Sequence, residues 1–279
     1  MRMRKILTIA ATTLALSLTP FVGTQASPAE DLEALKGYFK KKFPDVAIDD
    51  YKNGVYAIDA ASREQWEEME DFPPYELAID DGEALWGKKF ANGKSYADCL
   101  GDVGAIRGKY PHYDEANDDI ATLEGALNKC RVDNGEKPFK WKKGKLAKLS
   151  AYVAYQGRGG KVDVKVPNEK AEAWYNEGKT FFYAKRGQLN MACADCHVYY
   201  AGQNIRADKL SPTFGHTTHF PVYRSKWGNL GTLHRRYGGC NKQVRAKPFK
   251  AQSKQYKALE YFEAYMSNGL ELNGPGARK

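Results

Sequence analysis

The sequence predicts a mainly α-helical protein built from two small domains that are related to each other. Three observations lead to this prediction. Much of the chain carries apolar residues near the three- and four-residue spacing of an amphipathic helix. One long stretch recurs as a second copy within the chain. The length of 279 residues leaves room for two modest domains once an N-terminal leader is set aside.

The segment 1–26 has the composition of a secretory signal peptide. Basic residues near the N-terminus precede a short, mostly apolar run over 6–22, and Ala26 ends a small-residue cleavage site. We therefore expect export to the periplasm and cleavage near Ala26, with a membrane anchor as the alternative. No later stretch approaches the roughly 18 apolar residues that a membrane-spanning helix needs, so no membrane span is expected.

The charge balance of the chain narrows the classes of partner. The formal net charge is +9, and part of it belongs to the signal peptide. No long Lys/Arg run is present, which gives nucleic-acid binding no support. A moderately basic surface suits an anionic small substrate or an acidic partner protein.

Helical periodicity covers most of the chain, interrupted by three segments of other character. Residues 43–53 suggest a short strand, 161–167 a linker, and 198–235, rich in Gly, Pro, Thr and His, a long functional loop. The segments predicted to be helical are 29–42, 60–70, 75–91, 115–130, 142–157, 168–186 and 252–267.

An internal duplication sets the domain boundaries. Cys130 and Cys240 each begin a stretch that reaches Lys-Pro-Phe-Lys at the same spacing, and further matches continue without a gap at the offset that separates these two cysteines. Upstream, the tripeptide ending at Cys99 resembles the one ending at Cys196. The predicted organisation after the signal peptide 1–26 is an N-terminal extension over 27–74, a first domain over 75–165 and a second domain over 166–279.

A haem attachment motif lies in the second copy. Residues 193–197 read Cys-Ala-Asp-Cys-His, which is the C-x-x-C-H pattern of covalently bound haem. Cys193 and Cys196 would form thioethers with the two vinyl groups, and His197 would bind the iron from one face. A redox-active C-x-x-C pair is the alternative, but His197 and the export signal favour one covalent haem c.

The first copy lacks this motif. Cys99 aligns with Cys196, whereas Tyr96 and Leu100 stand where the other thiol and the proximal histidine would be. The fold prediction is therefore a mainly α protein of two cytochrome c-like domains related by duplication, the N-terminal one without haem.

Five cysteines are an odd number for an exported protein. Two are consumed by haem, and Cys99 and Cys130 occupy repeat positions that would face each other across a haem. With no haem between them, we predict a Cys99–Cys130 disulfide. Closing that loop would stabilise the fold by about 3–4 kcal/mol on the chain-entropy account.

Cys240 is then the unpaired cysteine. The repeat places it opposite His197, where its thiolate would bind the iron from the distal side and favour a low reduction potential. A buried free cysteine or a bridge to another chain is the alternative. Met266 and His234 are rival distal ligands.

Three arginines follow or precede Cys240 closely in the sequence. They are Arg235, Arg236 and Arg245. The planar guanidinium group binds multi-oxygen anions better than lysine does. Arg235 and Arg236 could each bind an anionic substrate or a haem propionate, and Arg236 is favoured for the substrate.

Several of these motifs together resemble the SoxA family, a subunit of the sulfur-oxidation cytochrome complex SoxAX. The similarity covers nearly the whole mature chain. It is carried by the Cys-Ala-Asp-Cys-His motif, the segments 219–224 and 226–237, Cys240 and the segment 244–249.

The resemblance implies an L-cysteine S-thiosulfotransferase, which oxidatively conjugates thiosulfate to a cysteine of a SoxYZ-like carrier protein. In the family the residue matching Cys240 is the distal haem ligand, often as a persulfide, and the arginine matching Arg236 lies beside it. Many members carry a second haem in the N-terminal domain. This sequence resembles the single-haem branch, which has a disulfide there instead.

The chemistry adds a partner and a set of catalytic residues. Conjugation releases two electrons and one haem accepts one at a time, so we expect a small SoxX-like monohaem cytochrome c as the partner. The candidate catalytic residues are Cys240, Arg236 and Arg245, with thiosulfate held by the arginines. The alternative functions are a thiosulfate dehydrogenase that forms tetrathionate and a plain electron-transfer or structural subunit.

Overall fold

The computed structural model describes residues 26–278, and within this range the chain is dominated by helices, as predicted. The signal-peptide residues before Ala26 lie outside the described residues. None of the helices in the described range is long and apolar enough to cross a membrane. The helices are α1 (Pro28–Lys42), α2 (Ala60–Asp71), α3 (Glu76–Gly87), α4 (Tyr96–Leu100), α5 (Leu123–Asp133), α6 (Lys145–Gln156), α7 (Glu169–Tyr183), α8 (Leu233–Gln243) and α9 (Lys254–Tyr265).

Short strands connect the helices. They are β1 (His112–Asp114), β2 (Asp119–Ala121), β3 (Asn204–Ile205), β4 (Asp208–Lys209), β5 (Val222–Arg224), β6 (Asn229–Gly231) and β7 (Gly276–Arg278). β1 pairs antiparallel with β2, and β3 pairs antiparallel with β4. β5 lies between β6 and β7, antiparallel to β6 and parallel to β7.

Three predicted segments differ from the structure. The helix predicted over 115–130 begins only at Leu123, because the β1–β2 hairpin precedes it and Thr122 caps it by accepting a hydrogen bond from Gly125 N. The strand predicted over 43–53 is wrong: Ile48–Ala57 forms 3-10 helical turns around Gly54. The long loop predicted over 198–235 contains two hairpins and leads directly into α8, a helix that was not predicted.

Each repeated cysteine lies on a helix that is preceded by a hairpin, and the two hairpin–helix units have the same architecture. The number of residues between β1 and β5, and between α5 and α8, equals the number between Cys130 and Cys240. The two strands have equal lengths, and so do the two helices. Each hairpin leads after one residue into its helix. This arrangement places Cys130 on α5 and Cys240 on α8 at the same position in the helix.

Helix α3 packs against α6, and α7 packs against α9, at points where one helix carries a glycine. A Cβ on Gly82 would lie 2.3 Å from the carbonyl oxygen of Lys148, and a Cβ on Gly178 would lie 2.1 Å from that of Ala258. Real side chains do not tolerate such distances. Both helix pairs therefore depend on glycine for their close approach.

We expect Gly178→Ala to destabilise the protein by about 1–3 kcal/mol, because the new methyl group would push α7 away from α9. The free energy of unfolding from a denaturant titration measures this. Gly37→Ala is the matched control. Gly37 lies on α1, and a Cβ added there would have no neighbouring atom within 4 Å, so this change should stabilise the helix by up to about 1 kcal/mol. Equal effects of the two substitutions would contradict the packing argument.

Among the described residues, one core cluster lies mainly in the C-terminal half, a second lies in the N-terminal half, and a third, smaller one contains residues of both; the N-terminal extension contributes to the first. The apolar face of α1, which includes Leu32, Leu35 and Phe39, packs into the core that contains α7 and α9. Asp31 of α1 accepts hydrogen bonds from Tyr175 and Lys179 of α7. The first helix of the extension is therefore fixed to the C-terminal half of the molecule.

The predicted disulfide is present. Cys99 on α4 and Cys130 on α5 are bonded, and the Cys130 side chain lies in the core of the N-terminal half. Cys193, Cys196 and Cys240 are not bonded to one another.

Candidate functional site

A cavity of about 430 Å³ lies between the C-terminal half and residues 54–62 of the N-terminal extension, and it brings together most of the residues that the sequence predicts for the site. Cys193, Cys196 and His197 line it, as do Arg236 and Cys240. Apolar side chains form further parts of its wall; they include Val222, Leu233 and Leu259. The cavity is therefore partly apolar and carries thiols, an imidazole and a guanidinium group.

His197 is held with one ring nitrogen free. It lies on a π-helical turn, Asp195–Tyr199, and Asp195 accepts a hydrogen bond from Ala192 N at 2.7 Å at the start of this turn. The Nδ1 atom of His197 lies 2.9 Å from the carbonyl oxygen of Ser211. Because a carbonyl only accepts, Nδ1 carries the proton and Nε2 keeps its lone pair. Burial lowers the pKa of His197 well below its usual value, so the imidazole is neutral and able to bind a metal.

The two motif cysteines sit in a wall that disfavours thiolates. Burial raises the pKa of the Cys193 thiol far above its usual value, and it also raises the pKa of Cys196. Conversion to neutral thioethers leaves no buried charge at these positions. The wall therefore suits sulfur atoms that are covalently capped.

Helix α8 presents Arg236 and Cys240 to the cavity together. The two residues are four positions apart, which places them on the same side of a helix. The backbone of Thr232 begins α8 after the β5–β6 hairpin, and its hydroxyl donates to the carbonyl oxygen of Trp141 in the N-terminal half. Within residues 26–278 the Arg236 side chain makes no ion pair or hydrogen bond, so its guanidinium group is available to an anion.

A buried network that was not predicted supports the same cavity. Glu263 of α9 lines it and accepts hydrogen bonds from the Tyr237 hydroxyl and from His216 Nδ1, the latter at 3.0 Å. The His216 ring packs edge-on against His197, with ring centroids 4.4 Å apart. A glutamate inside the apolar and aromatic stripe of α9 was the sequence signal for this network. The hydrogen bonds of Glu263 fix the position of the His216 ring, which packs against His197.

Other residues considered from the sequence lie away from the lining. Arg245 lies outside the cavity, and Arg235 stacks on Trp227 at 4.0 Å from the ring centroid. Met266 is buried in the core, and His234 lies between Glu260 and the backbone N–H of Gln252. Of the three distal-ligand candidates, Cys240 is the one among the residues that line the cavity.

Helix α1 holds the π-helical turn from outside. Lys42 Nζ donates to the carbonyl oxygens of Val198 at 2.9 Å and Tyr199 at 2.6 Å, and the Tyr38 hydroxyl donates to the carbonyl oxygen of Val198 at 3.2 Å. A cation at the C-terminal end of a helical turn satisfies carbonyl groups that have no partner in the helix.

We expect Lys42→Ala to lower the free energy of unfolding by about 1 kcal/mol, since a charge-assisted pair of bonds is lost at a partly exposed position. Denaturant titration measures the loss. Lys41→Ala is the matched control because Lys41 is exposed and makes no such bond among the described residues. If both variants unfold alike, the proposed support of the turn by α1 is wrong.

The geometry and the comparisons with known proteins agree. A helical fold with C-x-x-C-H on the wall of a partly apolar cavity defines a c-type cytochrome. Residues 81–162 match the family described as SoxA/TsdA, cytochrome c domain. The chain is 57% identical to the L-cysteine S-thiosulfotransferase subunit SoxA of Chlorobaculum tepidum over 92% of this chain and 90% of that protein.

Two further relatives support this assignment. The subunit of the same name from Allochromatium vinosum is 54% identical, with 92% of each chain covered. The crystal structure of SoxXA from P. pantotrophus matches with a TM-score of 0.71 at 32% identity, covering 77% of this chain and 84% of that chain. The chain belongs to the SoxA family.

Proposed function

We propose that this chain is the haem-bearing subunit of an L-cysteine S-thiosulfotransferase. It oxidatively conjugates thiosulfate to a cysteine of a SoxYZ-like carrier protein. The observation that carries the proposal is the pairing of Cys240 and Arg236 on one face of α8, in the same cavity as the C-x-x-C-H motif. The relatives named L-cysteine S-thiosulfotransferase subunit SoxA support it over nearly the full length.

Haem c fits the residues of the cavity. Cys193 and Cys196 are unpaired thiols that would attach it, and His197 offers a neutral imidazole with Nε2 unprotonated. Cys240 is the residue that would hold the iron together with His197, because the other two candidates lie outside the lining. We propose a single haem per chain.

We also propose that the two halves arose by duplication and that the N-terminal one carries no haem. The hairpin and helix pairs, which recur at a constant offset, support this. Buried polar contacts follow the same offset: Glu124 accepts from Ser150 at 2.8 Å in the first half, and His234 contacts Glu260 at 2.9 Å in the second. The cytochrome c domain match at 81–162 covers the half without the motif. The proposed boundaries remain 27–74, 75–165 and 166–279.

The chain's own residues perform the transfer in two steps. Arg236 binds the sulfonate oxygens of thiosulfate and directs its terminal sulfur toward Cys240 Sγ, and an S–S bond forms between these atoms with loss of two electrons. A bound haem would accept one electron at a time, so a SoxX-like small cytochrome c is proposed to accept the second. The carrier's cysteine thiolate then attacks the sulfur bonded to Cys240, takes over the S-thiosulfonate group and releases the Cys240 thiolate.

Location and assembly follow from the same proposal. A periplasmic location, where attachment of haem c takes place, is proposed; the signal-peptide-like composition of residues 1–26 and the C-x-x-C-H motif support it. The match to SoxXA supports a SoxX-like partner, and the basic surface suits the anionic substrate. Arg245, outside the cavity lining, is proposed to assist thiosulfate from the surface.

Product analysis tests the function. The holoprotein is incubated with thiosulfate, a SoxX-like cytochrome and a SoxYZ-like carrier, and the mass of the carrier is then measured by mass spectrometry. We expect the carrier to gain one S-thiosulfonate group on its cysteine, and a carrier with that cysteine replaced by serine to gain nothing. Tetrathionate formed without carrier would instead indicate a thiosulfate dehydrogenase. Haem reduction with no sulfur product would indicate a plain electron carrier.

A further inference from the structure

Arg224, at the end of β5, is a buried cation that forms no ion pair in the described part of the chain. Its side chain lines the cavity, and the residue is only 8% exposed. Its Nε atom is buried with no hydrogen-bond partner, and the guanidinium group makes no ion pair within the described chain. The charge is held over the Trp227 ring at 5.6 Å from the centroid. An unpaired buried charge is costly, so this position is built for an anion that the protein itself does not provide.

Arg278 lies next to Arg224 and shares the same character. The two residues are partners in the parallel β5–β7 ladder, and both line the cavity. Arg278 lies over the Tyr56 ring at 4.6 Å from the centroid and donates to the backbone carbonyls of Ala277 at 2.8 Å and Asn53 at 3.2 Å. It forms no ion pair with a carboxylate within residues 26–278. Within residues 26–278, two adjacent guanidinium groups therefore line the cavity and form no ion pair with a carboxylate.

The charges that act on the pKa of each group indicate which residues lie near the arginine pair and which lie near Cys193 and Cys196. Burial lowers the pKa of Arg224 to about 10, with repulsion from Arg236 as the next contribution and with effects from Asp208, Cys240 and Arg278. Arg186 acts on the pKa of the Cys193 thiol and Arg236 on that of the Cys196 thiol, whereas neither Arg224 nor Arg278 is among the main charges that act on either thiol. Arg224 thus interacts with Arg236 and Cys240, and its ladder partner Arg278 lies beside it.

The chemistry of haem supplies an anion of matching shape. Its two vinyl groups and its two propionate carboxylates lie on opposite edges of the porphyrin. A haem attached at Cys193 and Cys196 therefore brings its carboxylates to the edge away from these residues. Arginine binds carboxylates in a planar, two-pronged geometry, and two propionates would satisfy two guanidinium groups.

The haem-less copy provides an internal comparison. Arg224 ends β5 and corresponds through the repeat to Asp114, which ends β1 in a hairpin of the same length and register. Asp114 accepts hydrogen bonds from Ala116 N at 3.1 Å and from the Asn117 side chain at 2.7 Å, so its carboxylate stabilises the turn between β1 and β2. The cation is found where the attachment motif is found and is replaced by an acid where the motif is missing.

We infer that Arg224 and Arg278 bind the two propionate groups of the haem, which leaves Arg236 free to bind the anionic substrate. The inference rests on the proposed haem and assigns the propionates to arginines other than Arg235 and Arg236. Neutralised propionates place less negative charge near the iron, which favours the ferrous state. The pair thus sets the reduction potential and not the affinity for thiosulfate.

The test uses the holoprotein with Arg224→Gln, Arg278→Gln and, as the matched control, Arg235→Gln, which removes an arginine stacked on the same Trp227 outside the cavity. Redox titration gives the midpoint potential of the haem, and resonance Raman spectroscopy reports the propionate bending bands. We expect both cavity variants to lower the potential and shift these bands, and the control to change neither. The KM for thiosulfate should stay within about twofold of wild type, because a twofold change in affinity corresponds to a free-energy difference no larger than the thermal energy.

Arg224→Lys is a second variant for the case in which the glutamine variants do not fold. It keeps the positive charge but loses the planar guanidinium group. It should retain the potential and shift only the propionate bands. Unchanged bands and potential in both glutamine variants would overturn the inference. A raised KM with unchanged bands would overturn it too, by assigning these arginines to the substrate. The titration needs neither carrier nor turnover, so its outcome is separate from that of the transfer assay.

Discussion

Cys240→Met should keep the covalent haem and abolish thiosulfate transfer, with a loss of about 10³-fold or more in turnover. The methionine thioether can still lie against the metal, but it has no free valence with which to form an S–S bond to thiosulfate. The measurement is S-thiosulfonate formed on the carrier per unit time, with haem content read from the denatured absorption spectrum.

The control for this variant is the Cys99→Ala, Cys130→Ala pair, which removes the disulfide outside the cavity. It should lose stability but keep turnover at temperatures where the protein remains folded. Turnover near the wild-type rate in Cys240→Met would show that the sulfur of residue 240 does not relay the thiosulfate group. The proposed chemistry would then be wrong even if the haem assignment held.

Arg236→Gln should lower kcat/KM for thiosulfate by about 10²-fold or more, as the loss of a preorganised charged donor does in other active sites. The guanidinium group has no partner within residues 26–278, so its removal frees no buried protein group, and the fold should be unaffected. Initial rates over a range of thiosulfate concentrations separate KM from kcat. Arg235→Gln, one residue earlier but stacked on Trp227 outside the cavity, is expected to leave both constants unchanged.

An effect of similar size in the two variants would indicate that long-range charge alone attracts thiosulfate to this face. A specific loss at Arg236 would indicate direct contact. Raising the salt concentration tells the same two cases apart, because long-range attraction between exposed charges is screened and a buried contact is not.

The sequence predicted most helices because their patterns are long. α1, α2, α6, α7 and α9 each extend over three turns or more, so that apolar periodicity and capping residues are visible. α8 was missed because Gly238 and Gly239 and several charged residues obscure its pattern. Three-residue strands such as β1 and β5 are too short to show an alternation of apolar and polar residues.

The residues of the site also differ in how far apart they are in the sequence, and this distance decides which of them could be predicted. The C-x-x-C-H residues at 193–197 are neighbours in sequence, so a motif identifies them. Arg236 and Cys240 are one helical turn apart and could be associated once Cys240 was singled out. Arg224 and Arg278 were not found, because they meet only through the pairing of β5 with β7, and a single sequence does not reveal which strands pair.

The position of α1 makes the N-terminal helix depend on segments far along the chain. Its apolar face, including Phe39, is buried in the core cluster that also contains residues of α7 and α9. Contacts between such distant segments close large loops and form late. The apolar face of the amino-terminal helix therefore stays uncovered until α9, near the end of the chain, has been synthesised and has folded against it, and an incomplete chain exposes this face.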